Sequence, residues 1–225
     1  MLTHPAMSWV NALNQLVAGF FLLSSFGLIA AAQVTGCMRF YILQSLLLAC
    51  SAVLLGLLNH STDLFIVAGI YITAKVFLIP WLLKRTARED MIARRELVQV
   101  IGVPSSLLIA LGLTLVAYYI VIPLTAGANS GIQTNLPIGL AAVFIAVYTI
   151  TVRREALPQM LSLLAIENGA FFAGDAIAPH FPLIGEVAAV FDVLMIVLVL
   201  GVLSTQVHRS LGNTTVGALA QLRED

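Results

Sequence analysis

Five ionisable side chains lie inside runs apolar enough to cross a membrane: Lys75, Glu167, Asp175, Glu186 and Asp192. A charge near the bilayer centre costs a few kcal/mol or more, so one that persists is expected to face protein or water and to serve a purpose. Depth sorts the five. Lys75 lies about 16 Å along a helix entering near Leu64, Glu167 about 15 Å along one entering near Leu157, and Asp192 about 14 Å along one entering near Leu183, at a rise of 1.5 Å per residue. In a hydrocarbon core about 30 Å thick, all three sit near the midplane. Asp175 and Glu186 fall closer to one surface, on either side of a turn at residues 179–182 that also holds His180, where they can reach water.

One base and two acids at one depth on three helices suggest a lateral chain of titratable groups. If Lys75 pairs with one acid, the other carboxyl is left over, and burial drives it toward its neutral form. A group so poised can take up and release a proton. The structural alternative is an ion pair of Lys75 with one acid that fixes helix packing and transports nothing. Such a pair is weak evidence of stability, because desolvation can exceed the Coulomb gain.

The elements that position these groups follow from composition. Of 225 residues 60% are hydrophobic and 10% charged, with 11 charges of each sign, whereas about a quarter of a soluble domain is charged. Most of the surface must face lipid, and no room remains for a separate soluble catalytic domain. Apolar runs bounded by charge, proline or glycine predict seven crossings, at 10–34, 40–58, 64–83, 98–124, 136–152, 157–178 and 183–206. The expected fold is all-α: a polytopic membrane helix bundle of about seven transmembrane helices forming a single integral membrane domain over 1–225. Within it, 1–124 is a four-helix part and 136–206 a three-helix part. The first run is too long and wrongly flanked for a cleavable signal, and it reads as a helix that stays in the membrane.

Charge gives the orientation, because cytoplasmic loops collect Lys and Arg. Arg39 falls in the first gap, Lys84, Arg85, Arg88, Arg94 and Arg95 in the third, Arg153 and Arg154 in the fifth, and Arg209 and Arg223 in the tail. Alternate gaps therefore carry every basic residue except Lys75, which places the N-terminus outside and the C-terminus in the cytoplasm. The basic loop could also recruit anionic lipid, and nothing resembles a nucleic-acid site. Tyr41, Gln44, Ser45 and Thr73 are expected to hydrogen-bond between helices. Cys37 and Cys50 read as small buried hydrophobes. The four histidines are too scattered for a metal site, and Trp9 and Trp81 suit an interfacial aromatic belt.

The run Phe40-Tyr41-Ile42-Leu43-Gln44-Ser45, the stretch Ile72-Thr73-Ala74-Lys75-Val76 ending at Pro80, Glu167-Asn168-Gly169, and Asp192 together resemble the hydrogenase-4 component E family. Its members are membrane subunits of group 4 hydrogenase and formate hydrogenlyase complexes. The last three predicted helices, with Arg153-Arg154, Glu167 and Asp192, are also similar to the K-type subunit of complex I and the C-type subunit of multisubunit cation/proton antiporters. The complex I subunit usually has Glu where this chain has Asp192. The resemblance implies a multi-pass protein of a bacterial or archaeal inner membrane, beside antiporter-like membrane subunits and a peripheral redox arm. Nickel–iron and iron–sulfur centres would sit on those partners, with no cofactor or metal on this chain. The implied work is a proton path through Lys75, Glu167, Asp192, Asp175 and Glu186. The competing class is a purely structural membrane anchor that holds its partners.

Overall fold

The computed structural model describes residues 5–86, 101–179 and 201. The regular elements among them are helical: α1 (Pro5–Ala30), α2 (Val34–Asn59), α3 (Thr62–Ile70), a π-helical segment (Tyr71–Leu78), α4 (Ile79–Thr86), α5 (Val103–Val121), a 3-10 turn (Ile122–Thr125), α6 (Ser130–Val152) and α7 (Ala156–Ile177). With α3, the π segment and most of α4 joined as one span, these residues contain six helices long and apolar enough to cross a membrane. The seventh predicted crossing, 183–206, lies outside the described residues except for Gly201, which is helical. Glu186, Asp192 and His180 lie outside them as well.

Helices α1, α2, α7 and α6 pack in a closed ring, each against the next. The third span docks on α2, and α5 leans on α6 and α1. The contact between α6 and α7 is the tightest, and glycine permits it. A Cβ on Gly139 would lie 2.6 Å from the Gly169 carbonyl oxygen, and one on Gly169 would lie 2.9 Å from that of Gly139. Without a hydrophobic force between helices in lipid, this approach of small residues is what lets van der Waals packing hold them. Across the ring the Phe21 and Phe172 rings stack at 4.1 Å. Outward faces carry large apolar side chains, among them Trp9, Phe20, Leu23, Leu108, Leu115 and Tyr119, as lipid contact requires.

Several boundaries differ from the sequence expectation, each for a tertiary reason. The first apolar run ends at Ala30 rather than at 34, and Arg39 lies on α2 instead of in a loop. No local breaker ends α1. Its last carbonyls are taken by Arg153 from the turn between α6 and α7: Nη2 donates to Ile29 O at 2.9 Å and Ala31 O at 2.7 Å, with Leu28 O at 3.4 Å. Helix α6 begins at Ser130, six residues ahead of its apolar run, because the side chain of Asn135 finds buried partners across the bundle. The α2–α3 reversal is made by His60 in the left-handed region, φ 52°, with Ser61 N–H returning to Gly56 O. Cys37 is buried as expected, whereas Cys50 is exposed on the outer face of α2.

Candidate functional site

The third span changes winding where its charge lies. At the end of the π segment Ile79 N–H bonds to Ala74 O, five residues back, and the Thr73 hydroxyl donates to Gly69 O within its own helix. Thr73 thus faces outward and does not bridge helices, contrary to expectation. Wide turns of this kind are rare and concentrate at functional sites. Here the segment buries two residues, Tyr71 and Lys75. They are four apart and so lie along one face.

Opposite them, α7 presents Glu167, Phe171 and Asp175 at four-residue intervals, one stripe down the helix. The Lys75 ammonium lies 2.8 Å from Glu167 Oε1, and both side chains are almost wholly buried. Glu167 is the twelfth of the 22 residues of α7, and Lys75 is the fourteenth of the 22 in the span Thr62–Leu83. The pair therefore lies near mid-depth on both helices. The ammonium also rests 4.9 Å from the centroid of the Phe171 ring and 5.6 Å from that of Tyr71, which adds cation–π attraction in a site without bulk water. Two turns further along α7, Asp175 Oδ1 accepts a hydrogen bond from the Tyr71 hydroxyl at 3.2 Å. Asp175 is 1% exposed among the described residues, more deeply buried than the sequence reading expected. The aromatic rings of Tyr71 and Phe171, 5.7 Å apart, fill the space between the two levels.

A second polar system adjoins the pair. Asn168 Nδ2 donates to Ser45 Oγ at 3.0 Å and approaches Gln44 Oε1 at 3.4 Å. Gln44 Nε2 donates to Ser25 Oγ at 2.9 Å, so a line of buried amides and hydroxyls runs from α7 through α2 to α1. Gln44 and Ser45 thus bond between helices as expected. Toward the end of the bundle near the 3-10 turn, three buried residues close a ring: Asn14 Nδ2 to Asn135 Oδ1 at 2.8 Å, Asn135 Nδ2 to Ser51 Oγ at 2.8 Å, and Ser51 Oγ to Asn14 Oδ1 at 2.9 Å. Each internal hydrogen bond replaces one that water would supply elsewhere.

The structure thus brings Lys75, Glu167 and Asp175 together on two facing helices. Sequence reasoning did not single out Tyr71, although its position one turn ahead of Lys75 was a usable signal. The Asn14–Ser51–Asn135 ring was missed, because Asn135 looked like loop. Arg153 was read as a topology charge and as part of the resemblance to the K-type subunit, with no capping role. It is 2% exposed, and burial pulls its ionisation below the ordinary arginine range, with the neighbouring Glu155 carboxylate opposing. Arg154, next in sequence, is exposed.

No family model matches the chain, and no solved structure matches it. Among curated proteins it is 30% identical over 215 residues to the uncharacterized protein Rv0085 of Mycobacterium tuberculosis, covering 95% of this chain and 97% of that one. It is 24% identical over 209 residues to hydrogenase-4 component E of Escherichia coli K12 and of Shigella flexneri, covering 92% of this chain and 95% of each of theirs. Near end-to-end alignment, together with the apolar helices, makes this a multi-pass membrane protein and a distant member of the hydrogenase-4 component E family.

Proposed function

We propose that the chain is a non-catalytic membrane subunit of a hydrogenase-type, ion-translocating oxidoreductase complex, and that it contributes the Lys75–Glu167 pair to a proton path. The observation that carries this reading is the pair itself: a base and an acid 2.8 Å apart, near mid-depth, with the base on a π-helical segment. Burying two charges there is a poor way to stabilise a bundle, since their desolvation costs several kcal/mol per ion. It is a good way to build a group that exchanges a proton. When a proton reaches Glu167 the carboxyl becomes neutral and the Lys75 ammonium loses its counter-ion. The ammonium can then transfer its own proton or move, and either event passes charge to a neighbour.

Asp175 continues the path toward the end of α7, with Glu186 near the same surface, while Asp192 extends the midplane pair laterally, both in the predicted seventh helix. The redox chemistry, with its nickel–iron and iron–sulfur centres, would belong to a peripheral arm joined through antiporter-like membrane subunits in a bacterial or archaeal inner membrane. The proposal is tested by purifying the tagged chain in mild detergent and identifying its companions. Redox subunits and large membrane subunits are expected in fixed ratio to it. A chain that purifies alone as a monodisperse, heat-resistant monomer would overturn the assignment to a complex.

A further inference from the structure

The Lys75–Glu167 pair has a neighbour on one side only among the described acids, and the route to it is specific. Glu167 and Asp175 lie on the same stripe of α7, but Phe171 stands between them, and a phenyl ring cannot hold or pass a proton. On the facing span Tyr71 precedes Lys75 by one turn. Its hydroxyl meets Asp175 Oδ1 at 3.2 Å, while the Lys75 ammonium lies 5.6 Å from the centroid of its ring. Direction agrees with this. Helical side chains lean toward the N-terminus of their helix, and the N-terminal end of α3 adjoins the end of α7, where the Ser61 hydroxyl donates to the Pro179 carbonyl. Tyr71 therefore reaches from the level of the pair toward the membrane surface near the α2–α3 turn. Asp175 lies only two residues before the last residue of α7, Ile177. Its Oδ2 atom is buried and accepts no hydrogen bond among the described residues.

Resting on the function proposed above, we infer that Tyr71 is the link between two levels of one half-path, and that Asp175 is the acid that loads it from the side of the α2–α3 turn. In the inward step the Asp175 carboxyl O–H bond breaks as an O–H bond forms on Tyr71 Oη. The proton that Tyr71 already carried leaves from Oη to a bridging water, which passes one of its own protons to Glu167. One proton moves, no electron does, and Tyr71 ends as the hydroxyl it began as. The charged and titratable groups around this route are Lys75 on the π segment, Glu167 on α7, and, at the surface turn, His60 and Asp63. Phe171 keeps the two carboxyls from exchanging protons directly, so the hydroxyl cannot be bypassed along α7.

The test uses the whole complex in sealed vesicles, with native chain, Tyr71→Phe, Asp175→Asn, their double variant and Glu167→Gln. Protons moved per electron and the solvent deuterium isotope effect on translocation are the readouts. Tyr71→Phe keeps the ring and its packing, and proton translocation should fall about a hundredfold or more, the range a positioned proton donor contributes, with a larger isotope effect. The double variant should be no worse than the slower single one. Tyr148→Phe, whose hydroxyl bonds Ser106 away from this route, should match the native complex. Native translocation and isotope effect in Tyr71→Phe, with translocation lost in Glu167→Gln, overturn the link and leave the function standing. Native translocation in Glu167→Gln overturns the function itself and the link with it. If Tyr71→Phe does not accumulate, a fluorotyrosine in place of Tyr71 decides: a native pH profile of translocation overturns the link, and a profile shifted to lower pH supports it.

Discussion

Arg153→Ala should loosen α1 from the rest of the bundle. Arg153 Nη2 makes two hydrogen bonds of good length to carbonyls at the end of α1, at 2.7 and 2.9 Å, and a third contact at 3.4 Å. A hydrogen bond with one charged partner contributes about 1.5–3 kcal/mol, and a cation at a helix C-terminus adds about 0.3–1 kcal/mol through the helix dipole. Against this stands the cost of burying the guanidinium, whose Nε and Nη1 make no hydrogen bond among the described residues. The net loss should be about 2–4 kcal/mol, or roughly 5–15 °C in midpoint for a chain of this size. A built-in reporter is available. Cys37 is buried and its Sγ lies 3.8 Å from Leu28 O, one of the carbonyls Arg153 reaches. In a Cys50→Ser background it is the sole thiol, so its labelling by a thiol-reactive fluorophore during heating reads release of the α1 end. Arg153→Lys should fall between native and Ala, because an ammonium keeps the charge but not the planar fork. Arg154→Ala should match the native chain. An unchanged midpoint and labelling rate for Arg153→Ala would refute the clamp and return Arg153 to a simple topology charge.

Three further outcomes follow from the same geometry. Gly139→Ala or Gly169→Ala must push α6 from α7 or bend one of them, at a cost of about 1–3 kcal/mol or more; assembly yield should drop for both, while Gly112→Ala, which meets nothing within 4 Å, should be neutral. Ser51→Ala opens the Asn14–Ser51–Asn135 ring and should cost about 0.6–2 kcal/mol in a detergent-unfolding assay, with the excess largely recovered when Asn14 and Asn135 are also made apolar. Cysteine labelling in sealed cells should find Asn129 accessible from outside and Arg88 only from the cytoplasm; the reverse would invert the orientation expected from the basic gaps.

What was legible in the sequence, and what was not, divides by the range of the interaction. Apolar runs gave six crossings close to their observed positions because lipid imposes one requirement along the whole length of a helix. Mid-depth placement of Lys75 and Glu167 followed from counting residues, since both helices are long and enter near the predicted points. Helix ends were less readable where a distant residue makes them. Ala30 ends α1 because Arg153 caps it from more than a hundred residues away, and Ser130–Asn135 is helix because Asn135 is satisfied by Asn14 and Ser51. Polar residues in a short apolar interval look like loop until their partners are known. The π segment was invisible for a similar reason: nothing in Tyr71–Leu78 demands wide turns, and the winding is fitted to what Tyr71 and Lys75 meet on α7. Cys50 shows the converse error, a small apolar side chain assigned to the core although either face of a lipid-exposed helix accepts it.

The claim that the buried pair moves protons, and does not merely pack helices, is tested most directly by one comparison: Glu167→Gln against Lys75→Met with Glu167→Gln, with complex yield and proton translocation scored separately. A packing pair that loses one partner leaves a buried, unpaired charge, at about 3–5 kcal/mol. Near-native yield with translocation lost in both variants is the predicted result. Yield lost in the single variant, then restored with full translocation in the double, would contradict it.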